Sequence, residues 1–182
     1  ADGSNIPVSP KRQIVYMAAA MLGLLIPFLV LYILFLFDNK VHSVKDVEAL
    51  VKAPILGEIP TSNSENKIVV TENAQDSISE SFRMLRTNIT FMLAGTNEKS
   101  KIIFITSTVP SEGKTFVSLN LATVLALANK KVLLIGADVR KPKLNEYLNL
   151  KETLGLSRFL VDDTIKVPDI IHHFSEGNFD IL

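Results

Sequence analysis

The run Ile14–Phe37, IVYMAAAMLGLLIPFLVLYILFLF, contains no charged residue. About 20 consecutive apolar residues let a helix cross a hydrocarbon core. Uncharged runs beyond about 18 residues rarely serve in soluble cores. The run therefore reads as a membrane-spanning helix over 14–37. A signal peptide fits less well, because the run exceeds an h-region and no small-residue cleavage site follows it. Pro27 lies mid-span, where membrane helices tolerate a kink. Tyr16 and Tyr32 lie toward the two ends, where interfacial aromatics belong. Lys11 and Arg12 before the span nearly balance Lys40 and Lys45 after it, so the basic residues do not orient it.

Composition narrows the rest. Among the 182 residues, Lys plus Arg equals Asp plus Glu at 19 each. Zero net charge gives no general pull toward nucleic acid, and no nucleic-acid partner is expected. Cysteine is absent, which excludes disulfides, thiolate zinc sites and a cysteine nucleophile in this stretch. Mean hydropathy is +0.28, high for a soluble domain, and the apolar run accounts for much of it.

The chain opens without Met in a proline-rich stretch, IPVSPKR, and reads as a piece of something longer. Residues 1–13 form a flank, 14–37 the span, 38–60 a juxtamembrane connector and 61–182 an α/β region. In the connector, Ser43 caps a short helix over VKDVEALVK, Pro54 stops it, and PILGEIP follows as a short strand. Lys67–Val70 is a further short strand. From Asn73 to Leu93, Ile78, Phe82, Leu85, Ile89 and Met92 recur at helical spacing and form one apolar stripe. Glu80, Arg83 and Arg86 are read onto the opposite side. KIIFITS has a buried-strand pattern, and a helix from about Lys114 to Ala128 is apolar nearly all round. VLLIGA at 132–137 is a second buried strand. Short helices are expected at 144–148 and 157–160, and the terminal FDIL lies in another strand. Short apolar strands alternating with helices indicate a parallel α/β sheet.

The segment Thr106–Thr115, TSTVPSEGKT, joins the first strand to the helix and reads as a phosphate-binding loop. Strand, glycine-permitted turn and helix N-terminus bring backbone N–H groups together on phosphates, and the helix dipole adds to their field. The cradle is Thr108, Val109, Pro110, Ser111, Glu112, Gly113, Lys114, Thr115 and Phe116. Lys114 is placed on the β- and γ-phosphates of a nucleoside triphosphate and Thr115 on Mg²⁺. The strict pattern begins with Gly, and Thr108 stands there. LLIGADVRKP, 133–142, puts Asp138 at the C-terminal end of a neighbouring strand, over the crevice where such sheets bind ligands. Asp138 can hold Mg²⁺ or polarise a nucleophile, and Arg140 can contact phosphate or pair with an acid. ATP and GTP are cytosolic, so the C-terminal side of the span is placed in the cytoplasm. Taken alone, Glu80, Arg83 and Arg86 read as a solvated charged face. His172 and His173 are adjacent, share no face, and are read as surface residues rather than a metal pair.

Together these motifs resemble the junction of a bacterial tyrosine autokinase that is also a polysaccharide co-polymerase. IPVSPKR and a span with Gly23 and Pro27 are similar to that family's second transmembrane helix. PILGEIP resembles the start of its cytoplasmic domain. ESFRMLRTNI resembles its E-x-x-R-x-x-R helix, TSTVPSEGKT its Walker A and LLIGADVRKP its Walker A′. The resemblance implies a P-loop kinase fold in the bacterial inner membrane and an ATP- and Mg²⁺-dependent autokinase using Lys114, Asp138 and Arg140. It also implies a ring-shaped homo-oligomer through Glu80, Arg83 and Arg86, acting with polysaccharide polymerase and export machinery. A tyrosine from a neighbouring subunit's tail would attack the γ-phosphate. That tail and the Walker B Asp would lie beyond Leu182. Two positions depart from the pattern. Gly136 replaces the first Asp of the usual pair, which leaves open a second reading, a nucleotide-binding chain-length regulator with little transfer activity. Val109 stands where related partitioning ATPases carry a signature lysine, which argues against that branch.

Overall fold

Apolar periodicity and capping decide where the helices begin and end. The computed structural model describes residues 12–38, 40–41, 43–62, 64, 66–96, 98–138, 144–148 and 155–182. The chain divides into two units, Ala1–Ala53 and Pro54–Leu182.

In the first unit, helix α1 spans Arg12–Leu36 and runs on through Pro27. At 1.5 Å per residue it is about 37 Å long. It is long and apolar enough to cross a membrane, and none of its residues is buried. Helix α2, Val44–Leu50, starts where expected, and the Asp46 carboxylate accepts the Ser43 N–H at 2.9 Å.

In the second unit, helix α3 covers Ser77–Leu93. It begins four residues later than the apolar stripe suggests, because Asp76 is its N-cap. The Asp76 carboxylate accepts the N–H groups of Ile78 (3.1 Å) and Ser79 (2.9 Å) and the Ser79 hydroxyl (2.8 Å). Phe82, Leu85 and Ile89 are buried as expected. Met92 is exposed, and Leu93 takes its place against the core. A 3.6-residue period reaches 93 four residues after 89, so the stripe rotates past Met92.

Helix α4, Lys114–Ala126, is enclosed on two sides. Leu121 and Val124 meet Phe82, Leu85 and Ile89 of α3. Leu119, Ala122 and Ala126 meet the sheet residues Phe174, Phe179 and Ile181. That double burial is why the helix is apolar nearly all round. Thr123 and Asn120 are its buried polar residues, and Asn120 is fully buried. Its side-chain oxygen accepts from Val69 N–H (2.8 Å) and Val70 N–H (3.3 Å), and its amide donates to Lys67 O (3.0 Å) and Phe116 O (2.9 Å). The segment 67–70, expected as a strand, forms no ladder. Asn120 satisfies its backbone instead, as a buried polar group must be satisfied.

Among the described residues the sheet has three short strands: β1, Leu133–Leu134; β2, His172–Phe174; and β3, Phe179–Ile181. Their order is β1-β3-β2. β1 and β3 are parallel, whereas β2 and β3 form an antiparallel hairpin. The sheet is thus mixed rather than all parallel. The hairpin turn carries Gly177 and Asn178, the latter at φ 53°, the left-handed backbone such turns use. VLLIGA pairs over only part of its length, yet Gly136 N–H still donates to Leu182 O at 2.8 Å. KIIFITS does not enter the described sheet. Ile102 is 79% exposed and Phe104 90%. An apolar pattern makes a segment eligible for a sheet, but only lateral hydrogen bonds make it a strand. PILGEIP likewise forms no strand; its Leu56 and Ile59 pack against the α3–α4 core. Helices α5 (Leu144–Tyr147), α6 (Leu156–Phe159) and α7 (Val167–Ile170) complete the unit.

Candidate nucleotide-binding site

The site is built at the N-terminus of α4. Gly113 is its N-cap at φ 92°, and Ser111 sits at φ 69°. Two left-handed residues on either side of Glu112 turn the chain sharply into the helix, and glycine bears such a backbone without the Cβ clash. The first helical hydrogen bond in this turn runs from Val117 N–H to Gly113 O at 2.9 Å. The N–H groups of Lys114, Thr115 and Phe116 therefore have no acceptor within the helix. That is the arrangement that takes an anion.

Side chains complete the cradle. Lys114 folds back over the loop, and its ammonium donates to Ser107 Oγ at 3.2 Å. Ser107 Oγ in turn donates to Val109 O at 3.0 Å. Glu112 accepts from Val109 N–H at 3.1 Å and from the Thr108 hydroxyl at 3.4 Å. The Phe116 ring turns inward, edge-on to Phe82 with centroids 5.9 Å apart. Phe116 thus offers phosphate only its backbone. Ser107 stands one residue ahead of the strict motif and meets Lys114 through the fold alone.

Asp138 lies exposed on the segment that leaves the carboxyl end of β1. Arg140 falls outside the described residues. Thr115 and Asp138 supply a hydroxyl and a carboxylate, hard oxygen donors of the kind Mg²⁺ takes alongside phosphate and water. Among the described residues no group of three or more His, Cys, Asp or Glu could hold a metal on its own.

Glu80, Arg83 and Arg86 do not share one free face. Arg83 pairs with Glu80 and also donates to Thr71 O (3.2 Å) and Glu72 O (3.4 Å). Arg86 lies four residues from Phe82, close to the buried stripe, and donates to Val124 O of α4 at 3.2 Å. The expected placement opposite the stripe is corrected for Arg86: four residues advance the helix only about 40° beyond a full turn.

Tyr147 is half-buried against the sheet core with Lys67 Nζ 5.3 Å from its ring centre, and burial pushes its phenol up from the ordinary value. It is a packing residue. His172 is half-buried, not a surface residue, while the exposed His173 meets Asp180 at 2.9 Å. The two histidines point to different faces of β2, as adjacent strand residues do.

Comparison with known proteins agrees with this geometry. Residues 103–178 match the CbiA family model, the CobQ/CobB/MinD/ParA nucleotide binding domain. The solved kinase domain of Escherichia coli tyrosine kinase ETK superposes with a TM-score of 0.67 at 30% identity, over 79% of this chain and 60% of that one. The chimerical protein CapA2B2 superposes at 0.66 and 34% identity, over 77% and 59%. The tyrosine-protein kinase etk of Escherichia coli K12 is 36% identical over 114 residues, 63% of this chain and 15% of its own. A Klebsiella pneumoniae protein with a tyrosine-protein kinase name from its cps region is 31% identical over 193 residues, 97% of this chain and 26% of its own. The chain thus spans between 15% and 26% of the length of these two relatives.

The second unit therefore carries a P-loop nucleotide-binding fold. The chain is homologous to bacterial proteins that carry tyrosine-protein kinase names, one of them from a cps region.

Proposed function

We propose that this chain is the junction of an inner-membrane protein-tyrosine autokinase that regulates polymerisation and export of a capsular polysaccharide or exopolysaccharide. The observation that carries the reading is the cradle at the start of α4. Its free N–H groups and the folded-back Lys114 present donors and positive charge where the triphosphate of ATP would lie. The kinase names of the relatives then select phosphoryl transfer among the uses of such a loop.

In this reading α1 spans the inner membrane, residues 1–13 lie in the periplasm, and the P-loop unit lies in the cytoplasm with its ATP. A tyrosine oxygen attacks the γ-phosphorus, the bond to the β,γ-bridging oxygen breaks, and ADP leaves. The phenolic proton passes to an acceptor, for which Asp138 is the candidate. Lys114 balances charge on the β- and γ-phosphates, and Arg140 adds a further contact. Thr115 and Asp138 would hold Mg²⁺, which neutralises phosphate charge. The chemistry is mostly positioning and electrostatics. Tyr147 is committed to packing, so the acceptor tyrosine comes from another segment or subunit. Glu80 on α3 is the exposed part of the homo-oligomer contact, with the half-buried Arg83 and Arg86 behind it.

Gly136 supports a second reading, a nucleotide-binding chain-length regulator with weak transfer. It lies two residues before Asp138, where the resembled motif carries its first acid, and it has no side chain to accept a proton. The test uses the full-length protein with Mg·ATP, an anti-phosphotyrosine blot, and Lys114→Ala alongside. Phosphotyrosine that disappears in the variant supports the kinase. No signal from either protein, with ATP still bound, favours the regulator and rules out the kinase.

A further inference from the structure

We propose that Glu112 is a positioning residue of the nucleotide site, whose carboxylate ties Thr108 and Val109 to the turn before α4 and sets the cradle before nucleotide arrives. This rests on the nucleotide-binding reading above. One carboxylate oxygen accepts the Val109 N–H at 3.1 Å, and the other faces the Thr108 hydroxyl at 3.4 Å. The two contacts span the loop from Thr108 and Val109 to Glu112. Ser111 and Gly113, both at positive φ, flank Glu112, so the backbone turns on either side of it and fixes where its side chain leaves.

The tie also gives Thr108 a purpose. The strict motif has Gly there, which offers no side-chain donor. In this chain the hydroxyl at 108 and the acid at 112 act as one device. A carboxylate in a phosphate loop could instead act as a plug that mimics the absent anion. The geometry points away from that. The donors that face an anion are the N–H groups of residues 114–116, and Glu112 takes none of them among its recorded bonds. The Lys114 ammonium bonds Ser107 rather than Glu112.

The experiment is equilibrium titration of the detergent-solubilised full-length protein with a fluorescent ATP analogue, with melting temperature measured in parallel. Glu112→Ala is expected to weaken binding about tenfold, the low end for one charge-assisted hydrogen bond because the loop is exposed. Glu112→Gln retains an oxygen for Val109 N–H and should recover most of that loss. Thr108→Gly should weaken binding less, and adding it to Glu112→Ala should change little, because both remove the same tie. Melting temperature should stay near wild type in all three, as the loop is exposed. If Glu112→Ala and Glu112→Gln both bind more tightly, the carboxylate is a plug and the proposal is overturned. It is also overturned if binding is unchanged, or if weaker binding only tracks a fall in melting temperature. Should Lys114→Ala abolish binding while the Glu112 variants match wild type, only the tie fails. Should wild type not bind at all, the nucleotide reading fails with it.

Discussion

Replacing Arg86 with Ala tests what α3 does for α4. In the last turn of α4, the carbonyls of Thr123, Leu125 and Ala126 accept from Leu127, Ala128 and Asn129 N–H at 2.9, 3.1 and 2.8 Å. Val124 O is the acceptor that Arg86 Nη1 fills, at 3.2 Å. A hydrogen bond from a charged donor contributes about 1.5–3 kcal/mol, and a cation at a helix C-terminus a further ~0.3–1 kcal/mol. The contact is only partly buried, so water recovers some of this when the guanidinium is removed. A net loss of about 1–2 kcal/mol is the reasonable sum. For a domain of this size that lowers the melting temperature by roughly 3–8 °C. The assay is thermal unfolding of the detergent-solubilised protein at two concentrations, with Arg86→Lys beside Arg86→Ala. A cap within one chain gives the same shift at both concentrations, and Lys restores part of it. If Arg86→Ala melts like wild type, or shifts only in a concentration-dependent way, Arg86 serves a partner chain and the cap argument is wrong.

Three other outcomes follow from the same structure. With Arg83 and Arg86 both changed to Ala, assembly size in detergent should fall; an unchanged size removes α3 from the subunit contact. Gly136→Asp should raise autophosphorylation, measured by phosphotyrosine blot, at a modest stability cost, since a Cβ at 136 would lie 3.2 Å from the flexible Leu144 Cδ2; unchanged activity would show that the missing acid does not limit transfer. The Asp76 carboxyl is held below its ordinary value of 3.8, first by the Ser79 N–H and then by the Ser79 hydroxyl. A lowered folded value means its stabilisation is fully present above the ordinary value of 3.8 and is lost as pH falls through the lower folded value. The melting-temperature gap between wild type and Asp76→Asn should therefore shrink below about pH 4, and a gap independent of pH would refute the N-cap's charge dependence.

Much of the site could be read from residues alone, because a P-loop is a local object. Its turn, its lysine and its helix N-terminus all lie within Thr106–Thr115, and periodicity placed α4 immediately after. The parts that could not be read depend on contacts distant in sequence. Arg86 looked like a solvated charge until α4 packed beside it. Within the loop itself, Ser107 gained a role only through the side-chain fold of Lys114, which no spacing shows. Asn120 gives no pattern signal, yet it carries four bonds that hold segment 67–70 without a ladder. Strands were the least legible element. KIIFITS and FDIL share an apolar pattern, and only the second meets partners, β1 on one side and β2 on the other. The β2–β3 turn was readable in principle, since Gly177–Asn178 lies between two apolar runs, a recognised hairpin signal.

The central claim is that the N-terminus of α4 holds a nucleoside triphosphate through Lys114. Its most direct test is the ATP dissociation constant of the full-length protein and of Lys114→Ala, measured in the same detergent. Losing a charged donor to two phosphates should weaken binding roughly tenfold to a hundredfold, with the melting temperature of the nucleotide-free protein almost unchanged. Equal affinity in the two proteins would contradict the account.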